Sequence, residues 1–168
     1  TLESERAGSL LREALAVARA DQDAKLAGEI LNDLGNLSAT QQKYAEALTA
    51  FEESVALARQ SSNSWLTAQA LCNAAATAVR AGEDRKADEL NSQALRGIAH
   101  LDNSHAKAFL LLTVGQTDRQ IKLTNAELAQ RLLLRAHQSF EQALAVAEKL
   151  EDRAIETYAL GYLGQLYE

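Results

Sequence analysis

The side chains best suited to metal binding or acid–base chemistry are His100, His105, His137, Cys72 and carboxylates such as Asp33 and the pair Glu52-Glu53. A zinc site needs three or four convergent ligands. His100 and His105 lie five apart across an expected helix break, and no cysteine or carboxylate spacing completes a set. The histidines therefore read as surface or cap residues. Cys72 has no histidine near it in sequence and sits in an alanine-rich stretch, which makes it a small apolar filler. The acidic residues fall at solvent-compatible helical positions. There is no glycine-rich phosphate loop and no nucleophile elbow. The sequence thus predicts no catalytic residue, no metal ligand and no cofactor site, and points to a binding protein rather than an enzyme.

Composition narrows the class further. The 168 residues contain no proline, eight glycines and only eight aromatics (Phe 3, Tyr 4, Trp 1), against a background of Ala, Leu, Glu, Gln, Arg and Lys. These are strong helix formers, and nothing among them breaks helices as proline does. No β-branched or aromatic run of useful length suggests a strand. The net charge is −6, with 17 basic and 23 acidic residues scattered along the chain, so the basic stripe of a nucleic-acid binder is missing. No apolar run approaches the ~20 residues of a membrane span. A lone cysteine fits a reducing compartment. The expectation is a cytoplasmic protein that engages neither nucleic acid nor membrane.

The elements that position any site are set by an internal repeat. Leu34-Gly35, Ala74-Ala75, Val114-Gly115 and Leu163-Gly164 recur at steps of 40, 40 and 49 residues. Ala7, Ala47, Ala87 and Ala136 follow the same steps, as do Leu11, Phe51, Asn91 and Phe140, and Ala14, Ser54, Ala94 and Ala143. Four ladders sharing one spacing and one interruption describe a stack of antiparallel helix pairs. The small residue lets two helices approach, and the large one four positions on fills the groove beside it. Glycine inside a helix costs about 1 kcal/mol relative to alanine, so its recurrence marks a packing requirement.

These residues resemble the tetratricopeptide repeat. One unit offers Leu31, Leu34-Gly35, Tyr44-Ala45-Glu46-Ala47, Phe51 and Ser54, and the last offers Leu160, Leu163-Gly164 and Tyr167. The middle unit departs from the pattern at Ala74-Ala75 and Asn91. The family period is usually 34 residues, so six are added here. The resemblance implies an all-α solenoid of about eight helices. Residues 1–20 form the second helix of a truncated repeat. Repeats follow at 21–60, 61–100 and 101–150, and 151–168 is the first helix of another. Helices are expected at 4–20, 22–39, 42–60, 64–81, 84–100, 104–122, 125–150 and 153–167. Ser64 and Ser104 serve as N-caps, Gly82 as a helix terminator, and Thr124 with Glu127 as a capping box. The nine extra residues, around Thr117 to Arg131, are expected to lengthen both flanking helices and protrude at one edge. The chain opens at Thr1 and contains no methionine, so it is expected to be a segment of a larger repeat protein.

In such a stack the first helix of each hairpin lines the concave groove. The residues predicted to face it are Glu29, Asn32, Asp33, Asn36 and Thr40, then Gln69, Cys72, Asn73, Ala76 and Arg80. They continue with Phe109, Leu112, Thr113, Gln116 and Gln120, then Tyr158, Gly161, Tyr162 and Gln165. Asn32, Asn36, Asn73, Arg80, Phe109, Gln116, Tyr158 and Tyr162 are the candidate partner-binding set. Side-chain amides donate and accept, so they can grip a peptide backbone, and aromatics supply an apolar floor. Within the resembled family, domains that clamp the carboxylate tail of chaperones need two asparagines and three cations. The matching positions are Asn32, Asn36, Asn73, Phe109 and Thr113, so both asparagines match and every cation is missing. The expected partner is a protein or peptide of another kind. The alternatives are a regulatory array beside a protease-like or transcription-regulator domain, or self-association through the exposed solenoid ends.

Overall fold

The computed structural model describes residues 2–122 and 125–167, all of them in helices or their connections. The helices are α1 (Leu2–Ala20), α2 (Ala24–Thr40), α3 (Tyr44–Gln60), α4 (Ser64–Arg80), α5 (Asp84–Ile98), α6 (His105–Gln120), α7 (Ala126–Leu150) and α8 (Arg153–Gly164). Consecutive helices pack as antiparallel pairs. In addition α2 approaches α4, α4 approaches α6, and α6 approaches α8, whereas no two odd-numbered helices approach closely. The even-numbered helices therefore converge on an inner, concave face. The odd-numbered helices splay on the outer one. This is the expected α-solenoid.

The 40-residue period is built from two halves of 20. Helices α2, α3 and α4 are each 17 residues long. A three-residue turn follows each. Gln22, Gln42, Ser62 and Gly82 all adopt left-handed backbone, with φ between 55° and 76°. At every one of these turns the next residue's N–H reaches back to the carbonyl five residues earlier, as from Glu83 to Ala78 and from Asp23 to Ala18. This closes the last carbonyls of the helix. Only Gly82 has the residue type that adopts this backbone without strain. The side chains at the other turns cost about 1 kcal/mol each.

The helix starts correct two expectations. The N-cap of α4 is Asn63, whose side chain accepts from the Leu66 N–H at 3.0 Å, and not Ser64, which is the first helical residue. Thr124 lies outside the described residues, and α7 is capped by Asn125, whose Oδ1 accepts from the N–H groups of Glu127 and Leu128. Ser104 caps α6 as expected. The insertion also differs from expectation. Helix α6 stops at Gln120, five residues past Gly115, just as α2 stops five past Gly35. It is not lengthened. Helix α7 begins ten residues before Ala136, where α3 and α5 begin three before Ala47 and Ala87. Seven of the added residues thus extend α7 at its start. The remaining two widen the preceding connection from three residues to five.

The small–large ladders are the core of each hairpin. Ala47, Ala87, Ala136, Phe51, Phe140, Ala94 and Ala143 are fully buried. A methyl group added at Gly35 would sit 2.5 Å from the Phe51 ring, and one at Gly115 would sit 2.4 Å from the Phe140 ring. The rings lie on bare backbone, which explains why glycine is tolerated in mid-helix. Between these hairpins, Ala75 and Asn91 replace glycine and ring together. The outer helices are tied by polar rungs that obey one offset. Arg19 pairs with Glu53, Lys86 with Glu52 and Arg59 with Gln93, each 34 residues apart. Arg131 with Asp88 and Arg135 with Ser92 are 43 apart, which is the same offset plus the nine inserted residues. Exposed pairs contribute only about 0–1 kcal/mol each, so they fix register more than stability.

Substituting Gly35→Ala should therefore destabilise the chain by about 1–3 kcal/mol through overpacking. Gly161→Ala, at a helical glycine with nothing within 4 Å, should be neutral or stabilising by up to about 1 kcal/mol. Urea denaturation of the two variants checks this. Equal costs would contradict the packing role of Gly35.

Candidate functional site

The inner face carries an open pocket of about 420 Å³ built by α4, α6 and α8. Ala76 and Arg80 come from α4, and Phe109, Leu112, Thr113, Gln116, Thr117 and Gln120 from α6. Tyr158 and Tyr162 come from α8. The helical repeat explains the grouping. Positions 109, 113, 116 and 120 lie on one face of α6, three and four residues apart. The neighbouring inner helices present the same face beside it. Phe109 is 64% exposed and Tyr158 58%, so two large apolar surfaces stand open to solvent across the pocket. Tyr162 is half-buried. It stacks with Tyr158 at 6.3 Å between centroids and packs on Phe140 at 5.3 Å, which ties the pocket wall to the ring-on-glycine core. The only formal charge lining the pocket is Arg80.

Of the eight residues singled out from the sequence, the structure gathers five here: Arg80, Phe109, Gln116, Tyr158 and Tyr162. The three asparagines are not part of it. Asn32 is buried, at 3% exposure, and its Oδ1 accepts a hydrogen bond from Asn73 Nδ2 at 3.0 Å. These two amides join α2 to α4, so Asn32 has no surface to offer a partner. Asn36 is exposed on α2, away from the pocket. Cys72, also expected to face the groove, is buried, whereas Leu112, though only 5% exposed, lines the pocket. Burial, followed by the Asp118 charge, pushes the Cys72 thiol up to about 12, which leaves it protonated and unreactive at neutral pH.

A buried polar cluster behind the pocket was not anticipated. The Asp118 side chain is wholly enclosed. It accepts from Arg135 Nε at 2.7 Å and Nη2 at 2.5 Å, and from Asn91 Nδ2 at 2.8 Å. Asn91 also donates to the Val114 carbonyl, and Arg135 Nη1 donates to Ser92. Asp88 Oδ1 lies 2.9 Å from Arg135 Nη2, an ion contact off the hydrogen-bonding direction. Burial raises the Asp118 carboxyl above its ordinary range, while Arg135 and Asn91 pull the other way. The cluster joins α5, α6 and α7 at the hairpin junction where Asn91 stands in place of a ring. The visible signal was that substitution. An amide in an aromatic ladder needs polar partners when buried.

Two of the three histidines serve as connectors. His105, at the start of α6, contacts Asp152, the N-cap of α8, and His137 contacts Tyr167 and Glu141. Glu52 and Glu53 are both engaged in the outer rungs. Among the described residues no three His, Cys, Asp or Glu side chains converge, and no helix is long and apolar enough to cross a membrane.

The geometry defines a class: a solenoid of helical hairpins with an open, mostly uncharged pocket on its concave side. The family follows from sequence comparison. Residues 26–99, spanning most of α2 to α5, match the family model described as tetratricopeptide repeat. This stretch belongs to the tetratricopeptide repeat family, and the same ladders continue through α8. No curated protein matches the chain. Tetratricopeptide repeats generally serve as protein–protein interaction scaffolds.

The buried cluster yields a stability prediction. Arg135→Met would strand the enclosed Asp118 carboxylate and cost about 3–5 kcal/mol. Adding Asp118→Leu should recover most of that loss, because the pair is then replaced by apolar packing. Chemical denaturation of both variants measures it. A single variant that costs under about 1 kcal/mol would show that the ion pair is not needed once folded.

Proposed function

We propose that the chain is an interaction scaffold whose concave face at α4, α6 and α8 binds an extended segment of a partner protein. The observation carrying this reading is the pocket in which Phe109 and Tyr158 stand exposed around a floor of amide and hydroxyl side chains. Exposed aromatics framed by hydrogen-bonding groups are what a binding surface needs. The rings take up apolar side chains of the partner. Gln116, Gln120 and Thr113 offer donors and acceptors to its backbone. Arg80, the sole charge among the lining residues, favours a segment with a carboxylate near its α4 end. A highly charged basic segment gains nothing there. The absence of further cations distinguishes this face from the carboxylate clamp of chaperone-binding relatives.

A binding selection from a random peptide library supplies the test, with affinities then measured by fluorescence anisotropy. Phe109→Ala and Tyr158→Ala should each weaken the selected peptides about tenfold or more, as expected for anchor residues. Glu89→Ala, on the outer surface, should leave them unchanged. Peptides that bind equally well to the Phe109 and Tyr158 variants would overturn the assignment of this face.

A further inference from the structure

The concave face changes its chemistry along the stack. Five residues before Leu34, Ala74, Val114 and Leu163 stand Glu29, Gln69, Phe109 and Tyr158, one on each inner helix. One turn further on stand Asp33, Asn73, Thr113 and Tyr162. The two rows change in step: carboxylates on α2, amides on α4, then Phe109 on α6 and two tyrosines on α8. The α6 and α8 members all line the pocket. The rows therefore leave the pocket across α4 and end on α2, which the Asn32–Asn73 hydrogen bond holds against α4 at 3.0 Å. Glu29 and Asp33 are exposed. They lie one turn apart, where like charges weaken a helix. Neither forms an ion pair among the described residues. Arg80 does not offset them, because it stands seven residues past Asn73 on α4, about 10 Å along that helix.

We infer that the partner segment carries one basic residue that seats on Glu29 and Asp33, six residues from the nearer of two apolar residues spaced three apart. The inference rests on the pocket being the binding face. The spacing follows from the pitch of the stack. Neighbouring inner helices lie about 8–10 Å apart. A polyproline II chain rises about 3.1 Å per residue and turns once in three residues. Every third side chain then points the same way, about 9 Å further on, so one residue in three meets one inner helix. Phe109 and Tyr158 take side chains three apart. Helix α2, two inner helices from α6, takes the one six residues away. A β-strand would turn residues three apart to opposite faces. An α-helix would spend its carbonyls on itself and leave the Gln116 and Gln120 amides no backbone to bind. A polyproline II chain keeps its carbonyls free. No carboxylate lines the pocket, so the basic residue is favoured only at the α2 end.

Random-peptide selection against the intact chain, and in parallel against the Glu29→Gln/Asp33→Asn variant, tests this. Peptides kept by the intact chain should carry Lys or Arg six residues from an apolar pair spaced three apart, in one chain direction. Selection on the variant should lose the basic residue and keep the apolar pair. Changing that basic residue to Ala in a selected peptide should weaken binding to the intact chain by about two- to fivefold, the range of an exposed ion pair. Binding to the variant should not change, and the difference on the intact chain should shrink in high salt. Selected peptides may need Phe109 and Tyr158 yet show no basic residue, show it at another spacing, or need it equally on the variant. Any of these would overturn the inference and leave the pocket assignment standing. Peptides indifferent to Phe109→Ala and Tyr158→Ala would remove the pocket assignment and this inference together.

Discussion

Everything in this structure depends on a phenyl ring lying against a glycine. Phe51 on Gly35 and Phe140 on Gly115 set how closely the two helices of a hairpin approach. Burying a phenylalanine contributes about 1.5–3 kcal/mol, and the glycine that permits it costs about 1 kcal/mol of helix propensity. The balance favours the pair, but only if nothing larger than hydrogen occupies the glycine Cα. That requirement fixes which faces meet, and so fixes the faces left over. On α4, α6 and α8 the leftover faces point inward and form the pocket. Tyr162 makes the connection physically, with one side of its ring on Phe140 and the other toward Tyr158.

The second hairpin shows the rule by exception. Ala75 brings the methyl group that a ring would not tolerate, and Asn91 removes the ring. The position then turns toward the next repeat, where Asn91 meets Asp118 and Arg135 at the junction of α5, α6 and α7. One apolar contact within a hairpin is exchanged for a polar joint between hairpins. The extended start of α7 belongs to the same joint, since Arg131 on it reaches Asp88 on α5. Leu132 beside it is buried. The inserted residues are thus partly anchored rather than simply projecting.

Periodicity made most of the fold legible. A stack can form only if every hairpin presents the same small and large residues at the same positions, so the ladders had to be visible. The turns were less so. Gln22, Gln42 and Ser62 adopt the backbone that Gly82 announces by its residue type, and nothing in a glutamine signals it. Helical spacing from the Leu-Gly pairs phases an inner helix, and five of the residues it singled out line the pocket between α4, α6 and α8. Asn32 and Cys72 are buried instead. Asn32 meets Asn73 of α4 and Cys72 lies within the core, and no count along one helix shows how near its neighbours lie. The Asp118–Arg135 pair was hidden for the same reason, since three helices must converge before it exists.

The most direct test is a double-mutant cycle on Gly115 and Phe140, followed by chemical denaturation. If the ring on bare backbone sets the helix approach, Phe140→Leu should absorb much of the damage done by Gly115→Ala. The two effects should then fall short of additivity by about 1 kcal/mol or more. Costs that add to within about 0.5 kcal/mol would mean that ring and glycine act independently, and the account of how the groove is positioned would fail.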